Sequence, residues 1–191
     1  MSIGAVRIAE SKSRQFLTMQ STHIRPWPVI AVLIMSLSAA ASAHAGKAKI
    51  SPFAASDHRF MAHQLQLVEE LAARHYGRRI SGDKRRDLET LQRLLDDRHV
   101  RKGNTLMFQA MGVVMGNLMA AEHKLNWVIY KDELGRSRAL RLDQSEIVLF
   151  PITIISRRVD AGIRVNVAEL YEKAIEKIRP ALARRYHRSK I

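Results

Sequence analysis

The sequence predicts an α+β fold: about three N-terminal helices, a three-stranded antiparallel β-meander and two C-terminal helices, in one domain behind a signal peptide. Three observations carry this expectation. Apolar residues recur at intervals of three and four up to His123. From Asn126 the texture changes to short β-branched, aromatic or alternating runs separated by turn residues. After Asn166 the helical period returns behind a capping box.

The first element is an address. Val29–Ala41 is an uncharged run of 13 residues, against the roughly 20 that a membrane-spanning helix needs. His23 and Arg25 precede it, and the small-residue patterns Ala41-Ser42-Ala43 and Ala43-His44-Ala45 follow. This is the layout of a cleaved secretory signal. Residues 1–45 are therefore read as an N-terminal extension and signal, cut after Ala45 with recognition of Ala43 and Ala45 and with Gly46 as the new terminus. The 18 residues before Met19 are unlike the start of such a signal, and initiation at Met19 gives one of ordinary length. The expected location is beyond the inner membrane, periplasmic or secreted.

Residues 46–55 read as a linker and 56–180 as the single domain. Ser56 or Asp57 is placed to cap a first helix whose stripe includes Phe60, Met61, Leu65, Val68, Leu71 and Ala72, with Gly77 ending it. A second helix follows Ser81-Gly82-Asp83, with Leu88, Leu91, Leu94 and Leu95 inward and a basic outer face. Asn104 is placed to cap a third, apolar on nearly every side to His123, as a central helix is. Within it Gly112 and Gly116 have the small-xxx-small spacing that permits close packing.

Residues 126–131 and 136–142 read as strands joined by the turn Asp132-Glu133-Leu134-Gly135, with Gly135 at positive φ. Residues 147–150 form a third strand, apolar on both faces. Pro151 opens a short helix that Gly162 stops. Asn166 and Glu169 form the capping box of the last helix, whose buried stripe holds Val167, Leu170, Tyr171, Ala174, Ile175 and Ile178. Pro180 is expected to close it, leaving 181–191 as a loose basic tail.

The segments LQRLLD (91–96), MGVVMGNLMA (111–120), NWVIYKDELGRSRALR (126–141), LFPITIISRRVDAG (149–162) and VNVAELY (165–171) stand in a recognisable order. In that order the block 87–178 resembles a bacterial domain-of-unknown-function family, numbered three-eight-zero-six. Ile154 is a departure, since the pattern expects methionine there. The resemblance implies a fold unit and no activity, because members of that family are uncharacterised.

Charge narrows the partner. Four of the 32 Lys and Arg residues and one of the 18 acids precede Gly46, so the remainder carries a net charge of +11. That balance favours anionic partners, here an envelope protein or an anionic surface; membrane contact would be peripheral, and an exported chain argues against nucleic acid. The absence of cysteine excludes disulfides, cysteine nucleophiles and thiolate metal sites. No two histidines stand at i, i+4, and no nucleophile elbow, phosphate-cradling loop or dinucleotide fingerprint occurs, so no catalytic residue, metal ligand or cofactor is assigned. Asp132 fits turn chemistry better than catalysis, and Trp127 fits packing.

The candidate binding residues are cationic: Arg136, Arg138, Arg141, Arg157 and Arg158. The two-residue strand period puts Arg136 and Arg138 on one face and Arg141 on the other. Arg157 and Arg158 suit the last turn of the short helix. The expectation is an exported, non-enzymatic binding module with a basic surface. The alternatives are a hydrolase-type enzyme whose site the fold assembles, and a cytosolic nucleic-acid binder if the apolar segment is not a signal.

Overall fold

The computed structural model describes residues 48–188, so the signal-like segment and Ala43, Ala45 and Gly46 lie outside the described residues. The elements are β1 (Lys49–Pro52), α1 (Ala55–Tyr76), α2 (Lys84–Asp96), α3 (Thr105–His123), β2 (Asn126–Asp132), β3 (Gly135–Arg141), β4 (Val148–Leu149), a 3-10 turn (Pro151–Thr153), α4 (Ile154–Asp160), α5 (Val167–Glu176) and α6 (Arg179–Arg188). The fold is α+β, with one antiparallel sheet in the order β1-β2-β3-β4. Among the described residues no helix is long and apolar enough to cross a membrane.

Local chemistry explains most of the boundaries. Gly77 ends α1 in the left-handed conformation (φ 60°), donating its N–H to Ala73 O at 2.9 Å. The side chains of Asp83, Asn104 and Asn166 accept from the N–H groups of Arg86, Met107 and Glu169 and so start α2, α3 and α5. Asp132 Oδ1 accepts from Leu134 N–H at 2.9 Å, and Gly135 takes φ 123°, closing the β2–β3 hairpin. α1 starts slightly earlier than the sequence suggests. Its N-cap is Ala54, and Asp57 sits three residues in, accepting from Ala54 N–H at 3.1 Å.

Two segments differ from expectation. The expected linker contains β1, which pairs Ile50 with Tyr130 and Ser51 with Ile129. A four-residue edge strand is too short for a readable alternation, and its partner is some 80 positions away in the chain. The expected loose tail forms α6. Pro180 opens this helix rather than closing α5, because a proline in a first turn removes only an N–H that has no helical partner. Ala181 is buried, and Arg185 donates to His123 O at 2.6 Å and Lys124 O at 3.3 Å, satisfying carbonyls at the end of α3.

α3 is the central element. Phe108, Met111, Met115 and Met119 are buried with Val68 of α1, Leu91 and Leu94 of α2, Leu140 of β3, Ile155 of α4 and Tyr171 of α5. Its two glycines meet the 3-10 turn and β2. A Cβ on Gly112 would lie 2.5 Å from Ile152 O and 2.7 Å from Pro151 O; one on Gly116 would lie 2.5 Å from the Trp127 ring. The small-xxx-small spacing thus serves close packing, with a turn and an indole as the neighbours.

Gly112→Ala and Gly116→Ala are each expected to destabilise the domain by about 1–3 kcal/mol, as overpacking does. Gly112→Ala should cost more, because it meets backbone oxygens while Gly116→Ala meets side chains. Denaturant titration of the two variants measures both the loss and its order.

Candidate functional site

Strand register builds a row of cations. Lys49 of β1 lies opposite Lys131 of β2, and Lys131 lies opposite Arg136 of β3. Residues directly opposite in an antiparallel pair point to the same face, so all three project from one side of the sheet, and all three are exposed. With strands about 4.8 Å apart, the row spans roughly 10 Å. Like charges placed opposite one another oppose sheet formation. Neither lysine makes an ion pair or a side-chain hydrogen bond among the described residues.

Arg138 continues this face two residues along β3, opposite Ile129. Arg136 and Arg138 converge on Asp57 in the first turn of α1. Arg136 Nη2 donates to Asp57 Oδ1 at 2.8 Å and Oδ2 at 2.7 Å, and Arg138 Nε donates to Oδ1 at 3.0 Å. The Arg138 guanidinium also lies over the Phe60 ring, 3.8 Å from its centroid. Asp57 is 1% exposed, whereas the Arg136 side chain is 45% exposed and can still meet a ligand from solvent. Burial pushes the Asp57 carboxyl up. The hydrogen bonds from Arg136 and Ala54 N–H and the two guanidinium charges outweigh it, and the carboxyl is held below its ordinary 3.8. One carboxylate facing two arginines and two neighbouring lysines leaves the face strongly positive.

The structure does not bring the five expected arginines together. Arg136 and Arg138 share Asp57. Arg141, on the opposite face, folds onto its own turn, donating to Ser145 O at 2.7 Å, Gln144 O at 2.7 Å and Gln144 Oε1 at 3.0 Å. Arg157 and Arg158 end α4, and the charge of Arg158 acts on Glu169 of α5. Sequence reasoning missed Lys49, Lys131 and Asp57 as members of the face. Lys131 had a signal: a hairpin closed by 132–135 pairs 131 with 136. Lys49 had none.

A second polar cluster ties helices together. Tyr171 of α5 donates its hydroxyl to Glu122 of α3, and Lys84 of α2 bonds Glu122 at 2.9 Å and reaches Glu172 at 3.6 Å. Burial and the Glu122 carboxylate push the Tyr171 hydroxyl far up. Burial also pushes Glu122 up, but the bonds from Lys84 and Tyr171 win and hold it below its ordinary value. Burial pushes the His123 imidazole down. Glu122 and His123 border a cavity of about 460 Å³ that also involves Asp143 and Arg185. With Glu122 held ionised and Tyr171 held neutral, the two work with Lys84 as a three-helix tie.

The family described as Domain of unknown function (DUF3806) matches residues 87–171, in agreement with the resemblance read from the sequence. A crystal structure from Bacteroides thetaiotaomicron VPI-5482 is similar in fold, with 21% identity and a TM-score of 0.62 over 68% of this chain. The match spans 48% of that chain, about half its length. No curated protein matches. Lys131, Arg136 and Arg138 lie within the family segment, whereas Lys49 and Asp57 precede it.

Asp57→Asn leaves both arginines without their carboxylate. It is expected to cost about 2–3 kcal/mol, below the roughly 3–5 of a fully buried pair because Arg136 reaches water. The depressed carboxyl contributes stability that is complete above its ordinary 3.8 and is lost as pH falls through its lower folded value. Wild type should therefore lose more stability than the variant between neutral pH and strong acid, as read from denaturation midpoints across that range.

Proposed function

We propose that this chain is an exported, non-enzymatic binding module that engages an anionic partner through Lys49, Lys131 and Arg136. The cross-strand row carries the proposal. Three like charges held in register gain nothing from one another and are relieved when an anion arrives. Arg136 is already oriented by Asp57, so little side-chain freedom remains to be lost on binding at that position. Each cation near an anionic surface contributes about 1 kcal/mol. Screening over a Debye length of about 8 Å at physiological salt makes the association salt-sensitive.

Export is supported by the uncharged run Val29–Ala41 and the small residues Ala43 and Ala45. Cleavage after Ala45 leaves three residues before β1 and keeps the whole basic row in the mature protein. The expected product in the envelope fraction begins at Gly46, as mass spectrometry of the intact protein would read. A full-length chain recovered from the cytosol would count against export.

The binding role is tested on a phosphate-bearing matrix with two variants of equal charge. Lys49→Gln/Lys131→Gln is expected to elute at lower salt than Arg85→Gln/Lys177→Gln, which removes the same charge from α2 and the end of α5. Equal elution of the two would show that net charge alone drives retention and that the row is not a site.

A further inference from the structure

We infer that the anionic partner is a lipid bilayer surface, and that the tip of the β2–β3 hairpin enters it; this rests on the binding role proposed for the basic row. Leu134, in the turn between the two strands, is 97% exposed, whereas the other exposed large apolar residues among the described residues, Leu106, Ile163 and Tyr186, are 50–59% exposed. A lone exposed leucine is ordinary on a protein surface. Its place makes this one informative. Lys131 and Arg136 flank the turn on the two strands, and Lys49 lies beside Lys131. The tip of the hairpin therefore presents one apolar side chain, between Glu133 and Gly135, with a row of cations set just behind it.

That order matches the layering of a bilayer interface, where headgroup phosphates lie outside the acyl region. The hairpin is also held for the purpose. Asp132 Oδ1 and the positive φ of Gly135 fix the turn, while Asp57 grips Arg136 and Arg138 and seats β3 on α1. The Asp132 carboxylate is engaged within the turn. Glu133 stands beside Leu134, and the headgroup layer must accommodate it. One leucine and three cations give reversible, peripheral attachment, not anchoring. A soluble polyanion would use the cations and have no need of the leucine.

The chain has no cysteine, so Leu134→Cys carries a single environment-sensitive fluorophore such as NBD. The label reports the surroundings of the tip itself, whatever the rest of the chain does. Expected is a blue shift with vesicles containing phosphatidylglycerol and none with pure phosphatidylcholine. The shift should vanish when Lys49→Gln and Lys131→Gln are added; Arg136 is left in place because it also holds Asp57. Unlabelled Leu134→Ser should bind the anionic vesicles roughly three- to tenfold more weakly than wild type, the loss expected for one partly buried leucine.

If the label stays in water while Lys49→Gln/Lys131→Gln still abolishes sedimentation with anionic vesicles, tip entry is wrong and the binding role stands. The same holds if inorganic polyphosphate binds through the row and Leu134→Ser leaves vesicle binding unchanged. If Lys49→Gln/Lys131→Gln alters no association at all, the inference and the binding role both fail. Leu134, Lys49 and Lys131 are exposed, and retention of the wild-type melting profile by each variant separates loss of binding from loss of fold.

Discussion

The backbone of Pro151–Ile152 lies against α3, and the rest of the domain is arranged around that contact. Gly112 and Gly116 leave two gaps on one face of the helix, because residues four apart share a face. Ile152 O and the Trp127 indole occupy the space that side chains would fill. The indole is both an apolar filler and a polar anchor, since Nε1 donates to Asn117 Oδ1 at 3.0 Å one position beyond Gly116. Trp127 is the second residue of β2, so the contact fixes where the hairpin starts. The 3-10 turn follows β4, so the same contact fixes where the sheet ends and where α4 begins. A single stripe without side chains thereby sets the sheet on the helices.

The charged face depends on that placement. With β2 and β3 seated, Arg136 and Arg138 reach the first turn of α1 and enclose Asp57. A buried carboxylate is costly when unpaired, and here hydrogen bonds from two guanidinium groups and one backbone N–H satisfy it. The arrangement links the start of α1 to a strand about 80 residues later and leaves positive charge in excess. Lys49 and Lys131 extend the excess outward in register, so the same geometry that stabilises α1 also gathers positive charge on one face.

The Lys84–Glu122–Tyr171 cluster shows the contrasting use of charge. Its groups answer one another: the phenol and the ammonium both donate to one carboxylate, and the Lys84 ammonium also lies 5.1 Å from the Tyr171 ring centroid. The result draws α2, α3 and α5 together. Arg185 does similar work for the end of α3. Perturbed titration accompanies helix docking here, whereas Lys49 and Lys131 on the sheet have no such partner among the described residues.

Local chemistry by itself determined much of this protein. The caps at Asp83, Asn104 and Asn166, the stop at Gly77, the hairpin turn and the close-packing role of Gly112 and Gly116 all follow from residue type and short-range spacing. The common face of Arg136 and Arg138 follows from the period of two, and the resemblance to the matched family from the order of its segments. Only the tertiary structure decided that Lys49–Pro52 is a strand, that 179–188 is a helix, and that Asp57 belongs between two arginines. Each of these depends on a partner tens of residues away. An edge strand is made by backbone hydrogen bonds that carry no side-chain pattern, and a buried ion pair is specified by three-dimensional proximity, which a linear chain does not display.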